Sequence, residues 1–117
     1  MTNTGLLGPY QLTFDGIDCA VDRKSPGVFA LGHSSADGKF VINAVGRSDD
    51  DIKARLRDYI GSEIMFKYRY FPSPRQAFLK ECELFHSFSP PGNRIHPDRP
   101  RGASWECPHC RIYGWPR

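Results

Sequence analysis

Two short apolar segments, Val28 to His33 and Lys39 to Val45, are separated by a polar stretch that reads Ser-Ser-Ala-Asp-Gly. The last residue of this stretch, Gly38, tolerates the positive φ that tight hairpin turns require. Each apolar segment has the length of an ordinary strand. The pattern therefore predicts a β-hairpin in this part of the chain.

A helix is predicted directly after the hairpin. Ser48 is suited to the N-cap, and the aspartates that follow it fall in the first turn, where the helix dipole favours negative charge. Ile52, Leu56 and Tyr59 recur at helical spacing, which predicts one buried face. Gly61 provides a signal for the C-terminal end of this helix.

The segment from Glu63 to Phe71 alternates between apolar or aromatic side chains and basic ones, which predicts a strand that Pro72 ends. A second helix is predicted from Ser73, because Pro74 suits the first helical position and Gln76 completes a capping box. The order is hairpin, helix, strand and helix. We therefore expect a small α/β fold, a three-stranded antiparallel sheet flanked by helices.

The two ends of the chain are predicted to differ from this middle part. Residues 1–25 form an N-terminal extension, in which Tyr10 to Phe14 has the composition of a strand. The domain itself spans residues 26–93. Six of the ten prolines lie beyond Ser87, so residues 94–117 are predicted to be an irregular arm that something else must order.

Composition and charge narrow the class of protein only slightly. Hydrophobic residues make up 39% of the 117 residues, which fits one domain with a modest core. No stretch approaches the roughly 20 apolar residues of a membrane span, and the N-terminus lacks a signal-peptide pattern. We therefore expect a cytoplasmic protein with no membrane partner. The net charge of +3 comes from residues 89–117 and permits a polyanionic partner without requiring one.

Five short motifs occur in an order that resembles the GIY-YIG nuclease domain. The resemblance covers roughly residues 26–93, and the Cys-rich tail is similar to a small bacterial branch of that family. In chain order the motifs are Pro-Gly-Val-Phe (26–29), Ala-Val-Gly-Arg-Ser (44–48), Arg55 with Tyr59, Glu81, and Pro-Gly-Asn (91–93).

The resemblance implies phosphodiester hydrolysis in DNA or RNA with one divalent metal ion, Mg²⁺ or Mn²⁺. It assigns Glu81 to the metal and Arg55 to the charge on the phosphate. Tyr59 stands where the family has a His or Tyr, and Asn93 matches the Asn after the second helix. Such chemistry needs a carboxylate for the metal, a cation for the phosphate and an acceptor for the proton of water.

Two positions depart from the family signature. Phe29 and Ala44 occupy the places of its two tyrosines, and neither carries a phenol oxygen. Another tyrosine could substitute, either Tyr59 or the pair Tyr68 and Tyr70 on the neighbouring strand. A degenerate domain would instead bind nucleic acid without cutting it. A third alternative is a non-catalytic protein-interaction module with a zinc-stabilised tail.

The charged residues near these motifs each have a structural alternative. Glu81 shares a helix face with Phe78 and Phe85, where a carboxylate is costly unless it is paired or holds a cation. Its simplest alternative role is a salt bridge to Arg55. Basic residues that could contact nucleic-acid phosphates, or simply form a solvated surface, are Arg47, Lys53, Arg57, Lys67 and Arg69.

The cysteines suggest a second metal. Cys107 and Cys110 form a Cys-Pro-His-Cys element, which supplies half of a tetrahedral Zn²⁺ site. Cys82 and His86 lie four residues apart on the second predicted helix and so project from the same side. We expect these four residues to form a zinc site that orders the arm, with His96 as a rival for the fourth ligand. Otherwise Cys82 is a buried thiol and the tail pair is free or redox-active.

Overall fold

A computed structural model describes residues 4–88, 90–93, 96–97, 103, 105 and 107. The described strands form one four-stranded antiparallel sheet in the order β1-β4-β2-β3, so β3 is an edge strand. The elements in chain order are β1 (Leu7–Gln11), α1 (Phe14–Ala20), β2 (Gly27–Ser34), β3 (Phe40–Ser48), α2 (Ile52–Arg57), β4 (Met65–Tyr70) and α3 (Pro74–Phe88).

The predicted hairpin is confirmed as β2 and β3. Its turn contains Gly38 at φ 82°, the left-handed region that glycine enters without strain. Phe29 on β2 stands opposite Gly46 on β3. A Cβ at Gly46 would lie 2.5 Å from the Phe29 ring, so the glycine is what allows this ring to pack against the neighbouring strand.

The sheet has one strand more than the sequence predicted. β1 pairs antiparallel with β4, and α1 follows it with Thr13 as N-cap, whose hydroxyl accepts a hydrogen bond from the Gly16 amide. All five residues of β1 are exposed, so the strand lacks the alternation that identifies a half-buried strand. The position of β1 in the sheet is set by its pairing with β4, which lies more than 50 residues away in the chain.

Helices cover both faces of the sheet. α1 and α2 pack on one face, where Ile17, Phe29 and Leu56 are among the fully buried side chains. α3 packs on the other face against Val28 and Ala30 of β2. Residues 4–25 therefore contribute a strand and a helix to the same sheet and core. Within the described part of the chain, every helix is too short or too polar to cross a membrane.

The N-cap of α2 lies three residues later than the sequence suggested. Asp51 is the N-cap, and its side chain accepts a hydrogen bond from the Ala54 amide at 3.2 Å. Ser48 remains the last residue of β3, where its hydroxyl accepts from the Asp51 amide at 2.9 Å. The serine therefore holds the turn between β3 and α2 instead of beginning the helix.

Tyr68 on β4 gives the fold a specific dependence on high pH. Its hydroxyl donates to the Ala20 carbonyl at 2.7 Å, and burial raises its pKa from 10.0 to about 12. Because the unfolded chain loses this proton first, stability should fall by up to about 2–3 kcal/mol as pH rises from 10 to 12. Urea unfolding of wild type and Tyr68→Phe across this range checks it. Parallel pH profiles for the two proteins would contradict the assignment.

Candidate functional site

A cavity of about 660 Å³ lies beside the edge strand β3. We call it the edge cavity. The second half of β3 forms its floor, α2 and the turn after it contribute from one face of the sheet, and α3 contributes from the other. Its lining residues are Val45, Gly46, Arg47, Ser48, Asp49, Asp50, Arg55, Tyr59, Glu81 and Asn93.

Glu81 and Arg47 form an ion pair in which each side chain is only about a tenth exposed. The Arg47 Nη1 atom donates to Glu81 Oε1 at 2.7 Å, and the Arg47 Nε atom donates to Asp49 Oδ1 at 2.8 Å. The guanidinium also lies over the Phe78 ring, 5.2 Å from its centroid. The partner of Glu81 is therefore Arg47, not the Arg55 that the sequence suggested as the simplest alternative.

Burial sets the electrostatics of this pair. Desolvation raises the pKa of Glu81 above its ordinary value, the hydrogen bond and charge of Arg47 oppose this rise, and the nearby Asp49 carboxylate adds to it. The pKa of Arg47 is raised because its two carboxylate partners outweigh the effect of its own burial. Arg47 therefore stays charged and compensates a carboxylate that water hardly reaches.

Arg55 and Tyr59 also line the edge cavity, and the charge of Arg55 acts to lower the pKa of Glu81. The Arg55 Nη2 atom donates to the Tyr59 hydroxyl at 3.3 Å, and the guanidinium lies 5.4 Å from the centroid of the same ring. Arg55 is half exposed and has a loose ion pair with Asp58 at 3.7 Å. Tyr59 packs on Phe29 with the ring centroids 5.4 Å apart. The core thus fixes the tyrosine, and the tyrosine orients the arginine.

Asn93 acts on the backbone of the edge strand. Its Oδ1 atom accepts from the Val45 amide at 2.7 Å, and its Nδ2 atom donates to the Val45 carbonyl at 3.0 Å. The neighbouring Gly92 amide donates to the Asn43 carbonyl at 2.6 Å. The side-chain amide replaces a neighbouring strand at this edge and holds the segment after α3 against the cavity.

The two positions that lack the signature tyrosines lie on the α2 face of the sheet. Phe29 is buried and Ala44 packs against the same core cluster. The other candidate tyrosines are engaged elsewhere, since Tyr68 bonds the Ala20 carbonyl and the Tyr70 hydroxyl donates to Asp22 at 3.0 Å. Among the described residues that line the edge cavity, Tyr59 alone offers a phenol oxygen.

The structure does not bring the remaining basic candidates to the edge cavity. Lys53 and Arg57 both pair with Asp18 on α1, at 2.8 Å and 3.1 Å. Lys67 and Arg69 stand opposite Ala30 and Val28 on β2, so they lie on the α3 face of the sheet. There Lys67 lies over the Phe40 ring and Arg69 over the Phe71 ring.

A second cluster of donor atoms includes Cys82, which follows Glu81 directly on α3. One ligand atom each from Cys82, His96 and Cys107 lie within 4.8 Å of one another, so these residues could hold a metal ion. The His86 Nε2 atom lies 3.5 Å from the Cys107 sulfur. The predicted ligand Cys110 lies outside the described residues.

The two cysteines of this donor cluster are buried in one core cluster with Phe78, and His96 is half-buried. Cys82 and Cys107 are at most 3% exposed, and burial raises the pKa of the Cys82 thiol. Trp105 packs on Phe78 with the ring centroids 5.8 Å apart. Phe78 in turn lies under the Arg47 guanidinium, so the arm and the cavity contact the same side chain.

Sequence reasoning did not identify Asp49 and Asp50 as cavity residues. Their positions after Ser48 predict first-turn helix aspartates, whereas in the structure both precede the N-cap Asp51 and line the edge cavity. The sequence feature that could have located them is the end of β3, whose last residue, Ser48, is buried. If β3 had been extended to Ser48, the two carboxylates would have fallen in the turn at the end of the strand.

Neither a protein-family model nor a curated protein nor a solved structure matches the chain.

Proposed function

We propose that the chain is a GIY-YIG-like domain that binds DNA or RNA by holding a backbone phosphate in the edge cavity. The observation that carries this proposal is that Arg55 and Glu81, from two different helices, line one cavity together with Tyr59 and Asn93. These are the four residues that the motif order assigns to the site. The half-exposed Arg55 guanidinium reaches solvent, where phosphate oxygens can accept its hydrogen bonds.

The donor set at the cavity fits a divalent metal, Mg²⁺ or Mn²⁺. Glu81, Asp49 and Asp50 all line it, and carboxylate oxygens are the ligands that these ions prefer. The Arg47 guanidinium lies between two of these carboxylates, in a place where positive charge is stabilised. Under this proposal Glu81 holds the ion, and water completes its coordination.

We further propose that the domain hydrolyses phosphodiester bonds. The oxygen of a water molecule bonds to phosphorus, one ester P–O bond breaks, and a proton passes to the departing oxygen. The bound metal supplies charge neutralisation and a more acidic water. Arg55 donates hydrogen bonds to the phosphate as its charge grows. Tyr59 orients Arg55 through its hydroxyl and provides the phenol oxygen that Phe29 and Ala44 lack.

Binding to a labelled duplex at increasing salt tests the nucleic-acid proposal. We expect the affinity to fall steeply with salt, because phosphate contacts release counterions. Arg55→Gln should weaken binding and reduce the slope of log K against log salt by about 1. Arg23→Gln, an exposed arginine outside the edge cavity, is the matched control and should bind as wild type does.

Two further outcomes of the same assay separate the alternatives. Cleavage of the duplex with Mg²⁺ or Mn²⁺ that disappears in Glu81→Gln supports the nuclease, whereas cleavage that persists in this variant contradicts the mechanism. Salt-sensitive binding without cleavage supports a degenerate domain. Absence of binding at low salt, for single-stranded and duplex DNA and RNA alike, would favour the protein-interaction module.

We also propose that the second donor cluster, Cys82, His96 and Cys107, binds Zn²⁺, and that His86, which contacts Cys107, is the fourth ligand. Ligands of one tetrahedral Zn²⁺ lie about 3.3–3.8 Å apart, given Zn–S near 2.3 Å and Zn–N near 2.0–2.1 Å. The 3.5 Å between Cys107 and His86 agrees with that spacing. The His96 Nδ1 atom lies 2.8 Å from the Pro97 carbonyl. In the tautomer that carries its proton on Nδ1, this nitrogen donates to the carbonyl and the unprotonated Nε2 atom can bind the metal. This set uses the rival ligand His96 in place of Cys110.

A further inference from the structure

Glu81, the proposed metal ligand, is already paired with Arg47. Under the proposed function Glu81 holds a divalent metal, yet its Oε1 atom already accepts a hydrogen bond from Arg47 at 2.7 Å. Both side chains are about nine-tenths buried, so this is not a loose surface pair. A metal ion and the guanidinium carry the same sign of charge and compete for one carboxylate.

Different nitrogen atoms of the Arg47 guanidinium bond the two carboxylates. The Nε atom bonds Asp49, the Nη1 atom bonds Glu81, and the Phe78 ring lies against the guanidinium. Loss of the Glu81 contact therefore leaves Asp49 and Phe78 to keep the guanidinium at the cavity. The freed Nη1 atom would then be a hydrogen-bond donor beside the place proposed for the phosphate.

We propose that Arg47 is the resting counterion of Glu81 and is displaced from it by the divalent metal, so that Arg47 sets the metal affinity of the site. The inference rests on the proposed function, because it takes Glu81 as the metal ligand. It makes Arg47 a positioning residue, in contrast to the surface phosphate contact that its sequence position suggested. Before loading, Arg47 is hydrogen-bonded to the buried carboxylate. After loading, it remains on Asp49 and adds positive charge toward the phosphate.

Calorimetric titration with Mn²⁺ alone tests the competition. Wild type and variants are titrated in the same buffer at the same pH. We expect Arg47→Met to bind Mn²⁺ about tenfold more tightly than wild type, because the variant removes a positive charge at hydrogen-bond distance from the ligand. Arg75→Gln, which removes an exposed positive charge from the same helix as Glu81, is the control and should leave the affinity unchanged.

The wild-type protein supplies a second measurement that needs no change at Arg47. In ¹H–¹⁵N spectra of the arginine side chains, Mg²⁺ should shift the Arg47 Nε–H signal and leave that of Arg75 in place. Glu81→Gln should abolish the shift. This measurement decides the matter if Arg47→Met does not fold.

The outcomes distinguish the inference from the function on which it rests. Tighter Mn²⁺ binding by Arg47→Met, or a Glu81-dependent shift of the Arg47 signal, supports the inference. Mn²⁺ binding that needs Glu81 but is unchanged or weaker in Arg47→Met, with no shift in wild type, overturns the inference alone. Absence of Mn²⁺ binding at Glu81 in every variant overturns the inference together with the metal-dependent part of the proposed function.

Discussion

Replacing Arg47 by methionine is expected to lower the free energy of unfolding by about 3–5 kcal/mol, the usual cost of leaving a buried charge without its partner. The variant keeps most of the aliphatic volume against Phe78 but removes both hydrogen bonds to carboxylates. Glu81, which is 7% exposed, must then stay charged without compensation or take up a proton. Urea unfolding monitored by circular dichroism measures the loss.

The double variant Arg47→Met/Glu81→Gln separates the buried charge from the loss of packing. With no carboxylate left to compensate, we expect it to recover more than half of the stability that Arg47→Met loses. Arg75→Met is the matched control, since Arg75 is exposed on α3, and its change should stay within about 0.5 kcal/mol. A loss below about 1 kcal/mol in Arg47→Met would show that the pair is not buried as described.

Local signals were sufficient for most of the fold. The hairpin turn has its glycine, and α3 begins where a serine and a proline predict it, with the Ser73 hydroxyl accepting from the Gln76 amide at 3.2 Å. The strand composition of Tyr10 to Phe14 overlaps β1 only at its end, since β1 is Leu7–Gln11 and Phe14 begins α1. α1 was not predicted, and the bounds of β1 were missed, because β1 is exposed along its whole length and α1 buries little more than Ile17. Elements that depend on distant pairing leave a weak pattern in their own sequence.

In the edge cavity, too, contacts between nearby residues were predictable from the sequence and contacts between distant residues were not. The spacing of Arg55 and Tyr59 placed them on one side of a helix, and they do lie together. The partner of Glu81 depends instead on the register of β3, which sets Arg47 opposite Val28 on the α3 face of the sheet. The bond of Asn93 to the β3 backbone likewise depends on where the chain returns after α3. Neither contact could be obtained from local sequence.

Under the zinc proposal, replacing Cys107 by serine is expected to abolish metal binding and to detach Trp105 from Phe78 on α3. The wild-type chain should purify with about one Zn²⁺ per molecule, and Cys107→Ser with almost none. Because the free energy of metal binding is available to folding, the variant should lose about 3 kcal/mol of stability or more. Metal analysis and thermal unfolding, each repeated after treatment with a chelator, give the two readouts.

The chain contains its own control for this experiment. Cys19 is an exposed thiol on α1, outside the donor cluster, so Cys19→Ser should keep both the zinc content and the unfolding temperature of wild type. A chelator should destabilise wild type and Cys19→Ser but leave Cys107→Ser unchanged. Zinc content near zero in wild type purified without chelator, or full content in Cys107→Ser, would contradict the site.

The consequence of zinc loss should extend beyond the arm. Cys82 follows Glu81 directly on α3, and Trp105 packs on the same Phe78 ring that lies under Arg47. An arm released by Cys107→Ser would therefore uncover one side of the Phe78 ring and admit water next to the buried ion pair. Since water weakens the attraction between the two charges, Arg47→Met should cost less stability in a Cys107→Ser background than in wild type. Strictly additive losses would show that the metal and the cavity are independent.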